Sequence, residues 1–320
     1  MSLLSADSVV DYLVARGLVD ADWSLRVEPL GGGVSNVVLA VTGPGVRVVV
    51  KQALPELAVA DHWPAKRERA LTEAAAIEVC RRLMPGCAPR LLDVDPEACA
   101  LVVELAPDGW HPWKDDLLAG RADPDVARWL GATLRAWHDG TRDNPSRERF
   151  DDAEAFEQLR VDPYYRTVMR RLPDLAGLVG PFVERMEATR SCLVHGDYSP
   201  KNVLVSDGEA WVIDFEVAHA GDPAFDLAFM LNHLMLKAIH APASRDGFVA
   251  CAKAFWDAYG DVDDPGYVLG HVGCLMVARV DGKSPAEYLT DAGREHARSS
   301  GTSLLRKRPD ALDDAWALIG

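Results

Sequence analysis

No run in this chain reaches the ~18 consecutive apolar residues that a membrane span needs. The amino-terminal MSLLSADSVVDYLVARGLV places Asp7 and Asp11 where a signal peptide would carry positive charge. The six cysteines (Cys80, Cys87, Cys99, Cys192, Cys251 and Cys274) form no CxxC pair and no even scaffold spacing. They read as buried thiols of a reducing compartment, not as a disulfide framework or a zinc site. Positive charge is also short: 34 Lys and Arg face 49 Asp and Glu, a net charge of −15. Such a chain repels nucleic acid and anionic membrane, and no Lys/Arg stripe reverses that locally. The expectation is a cytoplasmic protein, monomer or homodimer, with neither nucleic acid nor membrane as a partner.

The 320 residues are enough for two lobes, each with its own core. Residues 5–19 carry Val9, Val10, Leu13 and Val14 at helical spacing up to Gly17. LRVEPL, VVLAV and VRVVVKQ then read as strands separated by glycine turns. A helix is expected over 64–83, stopped by Pro85-Gly86, and two more strands in RLLDVDPEACALVVELA. Beyond Ala106-Pro107 the pattern turns helical, over 123–139, 224–240, 245–259, 264–280, 284–297 and 309–318, with broken helices at 151–190. The fold class expected is α+β: an antiparallel-sheet lobe over 1–105 and a larger, mainly helical lobe over 106–320.

LGGGVSNVVLAV places Gly31, Gly32 and Gly33 in a turn between two strands, where missing Cβ atoms let the backbone approach a polyanion. No Gly-Lys-Ser/Thr follows, so it is not a Walker loop, and the next element is a strand, so it is not a dinucleotide fingerprint. Ser35 and Asn36 at the tip can add polar contacts. Lys51 interrupts the apolar run of the next strand and suits α- and β-phosphates if an acid fixes it. Glu73, mid-helix, is the preferred partner, with Glu68 and Glu78 as competitors. An adenine would lie against LVVELA, using backbone groups of Glu104 and Ala106.

The densest chemistry lies in LVHGDYSPKNVLV (193–205) and WVIDFEVAHAGDPAFDLA (211–228). Asp197, Asn202 and Asp214 fall within eighteen residues, held by strand-like runs. A base and two metal-binding oxygens so placed are what phosphoryl transfer to a hydroxyl requires. Only eleven residues separate Asp214 from Asp226, too few for a peptide platform, so the acceptor is small. Trp110 and Trp113, in WHPWKDDLL, suit stacking on a sugar or base, or lobe packing. Asp115, Asp116, Asp151, Asp152 and Glu157 are acids that an amino-sugar could meet, although such residues usually face solvent.

On these motifs the chain resembles the aminoglycoside phosphotransferase and choline kinase superfamily of protein-kinase-like small-molecule kinases. HGDYSPKN resembles its HGD-x₄-N loop, and IDFE with GDPAFDLA its metal segment. VVVKQALPELAVADHWPAKRERALTEAAAI is similar to 5-methylthioribose kinase, whereas the catalytic and metal segments have the aminoglycoside-kinase style. The resemblance implies a bilobal kinase-like fold and transfer of the γ-phosphoryl group of ATP, or of GTP, with magnesium. The acceptor implied is a hydroxyl of a methylthioribose-like sugar; the alternatives are an aminoglycoside or a non-catalytic nucleotide binder. Asp197 would be the base and Asn202 and Asp214 the metal ligands. Glu216 would assist at the metal, its spacing from Asp214 suggesting one shared strand face. His195 and Asp226 would support the loop, and Arg279 would touch the substrate.

Overall fold

The computed structural model describes residues 3–31, 35–57, 65–142, 144–206 and 208–320. The chain divides into two units, residues 1–108 with 215–217, and residues 109–214 with 218–320. The first break therefore falls after 108 and not 105, and a three-residue segment expected in the helical lobe belongs to the sheet unit.

In the first unit, α1 (Val9–Ala15) precedes β1 (Arg26–Pro29), β2 (Asn36–Gly43) and β3 (Val46–Ala53). Then come α2 (Arg69–Leu83), β4 (Leu91–Asp95) and β5 (Ala100–Glu104). The five strands form one antiparallel sheet in the order β1-β2-β3-β5-β4. The β2–β3 turn has Pro44 followed by Gly45 at φ +77°, and a glycine after proline supplies the positive φ that this turn demands. Along β3 the side chains alternate. Val48 and Val50 join Val9, Leu13, Leu39, Val41 and Val102 in the core. Lys51 falls on the opposite face, where it meets α2.

The second unit begins with β6 (His111–Pro112), α3 (Trp113–Leu118) and α4 (Pro124–Thr141). After α5 (Glu154–Phe156) comes a π-helix, Glu157–Arg166, with Pro163 inside it. Next are α6 (Thr167–Arg171), α7 (Pro173–Ala188), β7 (Cys192–Val194), β8 (Val203–Ser206), β9 (Glu209–Val212) and β10 (His219–Gly221). The chain finishes with α8 (Ala224–His240), α9 (Arg245–Tyr259), α10 (Pro265–Asp281), α11 (Asp291–Lys307) and α12 (Leu312–Ala317). The helix expected over 284–297 starts instead at Asp291, because Thr290 caps it by accepting the Gly293 amide. α4 packs closely on α9: a Cβ at Gly131 would run into the Phe255 carbonyl. The six cysteines are buried thiols. Among the described residues, no helix is long and apolar enough to cross a membrane.

Candidate active site

Three groups of polar side chains stand out, two in the first unit and one in the second. In the first, Lys51 Nζ donates to both oxygens of Glu73, at 2.6 and 2.8 Å. The pair is largely shielded, its side chains 12% and 3% exposed. Of the three candidate acids, Glu73 is the one seen to meet this lysine. A cation fixed in this way by a helix-borne acid keeps its position on the sheet face.

The second feature of this unit is a buried knot around Arg69. Its Nε donates to Glu216 Oε2 at 3.0 Å, and its other nitrogens to the carbonyls of Ser35, Leu54, Ala65 and Lys66. Ser35 Oγ donates to Glu216 Oε1 at 2.7 Å and Asn36 Nδ2 to Oε2 at 2.9 Å. This corrects the metal role expected of Glu216, because arginine, hydroxyl and amide occupy its carboxylate. The shared strand with Asp214 is also absent: β9 ends at Val212, and Asp214 lies beyond it at φ +69°. Ser35 and Asn36 likewise spend their side chains on Glu216. Gly31 is exposed, and a Cβ there would meet nothing within 4 Å. Gly32 and Gly33 lie outside the described residues. Glu104 directs its amide to the Arg90 carbonyl and its carboxylate to the Arg90 side chain. The Ala106 carbonyl accepts from Arg47. Of the backbone groups of Glu104 and Ala106 expected at an adenine, the Glu104 amide and the Ala106 carbonyl are thus engaged within the unit.

In the second unit, the loop after β7 hangs from one buried carboxylate. Asp226, at the start of α8, accepts the His195 amide at 2.7 Å and the Gly196 amide at 2.9 Å. Gly196 has φ +76°, which glycine adopts without strain. The His195 ring is fixed at both nitrogens: Nδ1 accepts the Asp197 amide, so Nε2 is the protonated one and donates to the Ile213 carbonyl at 3.2 Å. Burial pushes its pKa below the ordinary value. Tyr198 is plugged under α4, its hydroxyl donating to the Leu130 carbonyl.

Asp197, 3% exposed, is the focus of this loop. Its Oδ2 receives Arg160 Nη2 at 2.7 Å, Asn202 Nδ2 at 2.8 Å and Lys201 Nζ at 2.9 Å. Burial alone would raise its pKa, but Arg160 and Lys201 hold it below the usual carboxylate value. Arg160 comes from the π-helix and also grips the Gly196 carbonyl at 2.8 Å. Neither Arg160 nor Lys201 was expected from the sequence. Lys201 at least stands inside the HGDYSPKN motif; Arg160 has no local signal. Asn202 gives its amide nitrogen to Asp197, which leaves Oδ1 as its atom for a cation. Asp214, half-buried, acts electrostatically on Asp197, Lys201 and His195. Among the described residues no three His, Cys, Asp or Glu converge on a metal-sized space. One carboxylate and one amide oxygen suit a hard cation whose other ligands are phosphate oxygens and water.

The expected substrate residues fare unevenly. Trp113 is 1% exposed in the core, which agrees with the packing alternative and not with stacking on a substrate. Trp110 is half-buried against Trp211, ring centroids 4.9 Å apart. Arg279 sits at the end of α10, with Nη1 donating to Ser284 Oγ at 2.8 Å and to the Tyr164 hydroxyl at 3.4 Å. Of the acids that could have met an amino-sugar, Asp116 pairs with His111 and Arg121, and Glu157 with Arg166.

The profile of the phosphotransferase enzyme family matches residues 26–267. Methylthioribose kinase of Pectobacterium atrosepticum is 27% identical, over 95% of this chain and 84% of that protein. The enzyme of the same name from Yersinia pseudotuberculosis is 26% identical, over 98% and 95%. Among solved structures, a choline/ethanolamine kinase family protein from Mesorhizobium loti superposes with a TM-score of 0.58 at 16% identity, covering 97% of this chain and 98% of that one. A spectinomycin phosphotransferase in complex with ADP and spectinomycin gives 0.52 at 12% identity, over 99% and 94%. At these identities the two structures bear on the fold, which is kinase-like and α+β.

Proposed function

The chain belongs to the phosphotransferase enzyme family, and we propose that it is an ATP-dependent kinase whose acceptor is a hydroxyl of a small, sugar-like metabolite. The observation that carries this reading is the Asp197 loop: a buried carboxylate hydrogen-bonded to Asn202 and suspended from Asp226 through two backbone amides. The relatives named methylthioribose kinase, matched along nearly the whole chain, support a methylthioribose-like acceptor.

In this reading Lys51, steadied by Glu73, binds the α- and β-phosphates. Asp214 and Asn202 Oδ1 would hold a divalent cation, magnesium in our proposal, which would supply positive charge to offset that of the phosphates. The Arg69–Glu216 knot keeps Ser35 and Asn36, at the foot of the glycine turn, in place. Asp197 accepts a hydrogen bond from the acceptor hydroxyl and orients its oxygen toward the γ-phosphorus. A new O–P bond forms as the bond from the γ-phosphorus to the β–γ bridging oxygen breaks; the hydroxyl proton passes to Asp197, and ADP leaves. Two cations make Asp197 a weak base, which suits a loose transition state in which the hydroxyl loses its proton late.

A coupled ADP-release assay over pentoses and methylthioribose, aminoglycosides, and choline or homoserine tests the reading. Magnesium-dependent ADP release with a sugar-like acceptor is expected. Release with aminoglycosides alone would reverse the acceptor class.

A further inference from the structure

In the second unit, a cluster of buried cations and phenols, Lys237 and Arg279 with Tyr164 and Tyr288, stands beside the elements that carry Asp197 and its partner Arg160. Lys237, in α8, is 1% exposed, and among the described residues no carboxylate pairs with it. Its Nζ has a long hydrogen bond of 3.5 Å to the His233 carbonyl one turn earlier and lies 5.5 Å from the Tyr288 ring. A buried ammonium without a counter-ion is costly. The charges that bear on it, Arg279 and Lys114, are positive too; burial, with their help, pushes its pKa down to about 7.

Arg279 adds to the anomaly, since its Nε is buried with no partner, as is the Tyr288 hydroxyl. His233, one turn before Lys237, is acted on by Lys237, Arg279, Lys201 and Lys114 together. Contacts tie this cluster to the catalytic loop. Tyr164 receives Arg279 and lies in the fields of both Arg160 and Asp197. Phe229 bridges from His233, 5.2 Å between ring centroids, to Arg160, 5.8 Å from its own centroid. The folding of a chain with net charge −15 gives no reason to gather these cations away from acids. A cationic acceptor would be repelled here, and a neutral one would leave Lys237 and Arg279 uncompensated.

We propose that the acceptor alcohol carries an anionic group, a carboxylate or a phosphate, bound by Lys237 and Arg279 with a hydrogen bond from Tyr288, while its hydroxyl meets Asp197. This rests on the kinase reading and refines its acceptor: an anion replaces the neutral substituent of methylthioribose.

The test uses the full chain and acceptors matched except in charge: ribose 5-phosphate, ribonate, ribose and methylthioribose. ADP release with magnesium and ATP is expected to favour an anionic acceptor over ribose by about tenfold or more in kcat/KM. Lys237→Met, and separately Arg279→Gln, is expected to raise the KM for that acceptor by about the same factor. The phosphate and carboxylate arms tell which anion is read. Melting temperature, measured without nucleotide, gives a second readout: the anionic compound raises it in the wild type but not in Lys237→Met. Equal use of ribose or methylthioribose, with KM unmoved in both variants, would overturn the proposal and leave the kinase reading intact. If no acceptor turns over, the melting shift decides, and no shift with either anion overturns it. Failure of ATP to bind would strike the kinase reading separately, because the melting shift needs no nucleotide.

Discussion

Asp197 receives three donors on one oxygen, and each has a separable consequence. Asp197→Asn removes the charge but keeps the shape. It should lower kcat by about 10²-fold or more while leaving ATP affinity nearly intact, since in the proposed mechanism the carboxylate acts on the acceptor in the transition state. Steady-state kinetics and nucleotide titration on the same folded sample check this, and wild-type turnover would remove Asp197 from the chemistry. At this scale the sequence was uneven. His195, Asp226 and Asn202 could be located because each stands in a recognisable motif, HGDYSPKN or GDPAFDLA. Arg160 and Arg69 could not, since neither stands in those motifs and each meets a carboxylate in a distant segment, from 160 to 197 and from 69 to 216. Lys237 did leave a signal, as a single lysine in the apolar run AFDLAFMLNHLMLKAI. Lysine inside such a run is costly unless something compensates it.

The helices α8 and α10 carry the second kind of consequence, because each buries a histidine in its neutral form. Burial, reinforced by Arg185 and Arg308, pushes His271 down to about 3, and its Nδ1 is engaged by the Tyr165 hydroxyl at 2.8 Å. His233 is pushed well below the ordinary value by burial and the cations around it. Each is uncharged in the fold but takes up a proton near pH 6.5 once unfolded. The unfolded chain therefore binds more protons below that pH. Their contribution is full above about pH 6.5 and falls as the pH drops, by up to roughly 1.4 kcal/mol per unit for each. Melting temperature should fall between pH 7 and 5, and His271→Phe should flatten that slope; a wild-type melting temperature constant over this range would contradict the argument. The sheet was readable because alternation and turn glycines are local signals. The π-helix was not: Pro163 looks like a helix break, yet the turn widens around it and presents Arg160. The acidic strand expected to carry both Asp214 and Glu216 ended early for a similar reason, because a left-handed residue at Asp214 turns the chain out of β9 and no apolar pattern records that.

Taken as a whole molecule, the chain divides its chemistry between two units with different charge patterns. The sheet unit offers a lysine clamped by a helix-borne acid, and the helical unit a carboxylate ringed by Arg160, Lys201 and the amide of Asn202, with Asp214 acting on it. The net charge of −15 pointed away from nucleic acid, but it concealed the local cationic cluster around Lys237, because composition averages over surface and interior. The central claim is that this chain binds a nucleotide through a divalent cation held by Asp214 and Asn202. Calorimetric titration of ATP into the full chain, with and without magnesium, tests it most directly when Asp214→Asn is run beside the wild type. Tight binding that requires magnesium and weakens by about tenfold or more in Asp214→Asn is the predicted result, because a neutral amide is a poor substitute for an anionic ligand of a hard cation. Magnesium-independent binding, or affinity unchanged in the folded variant, would contradict it.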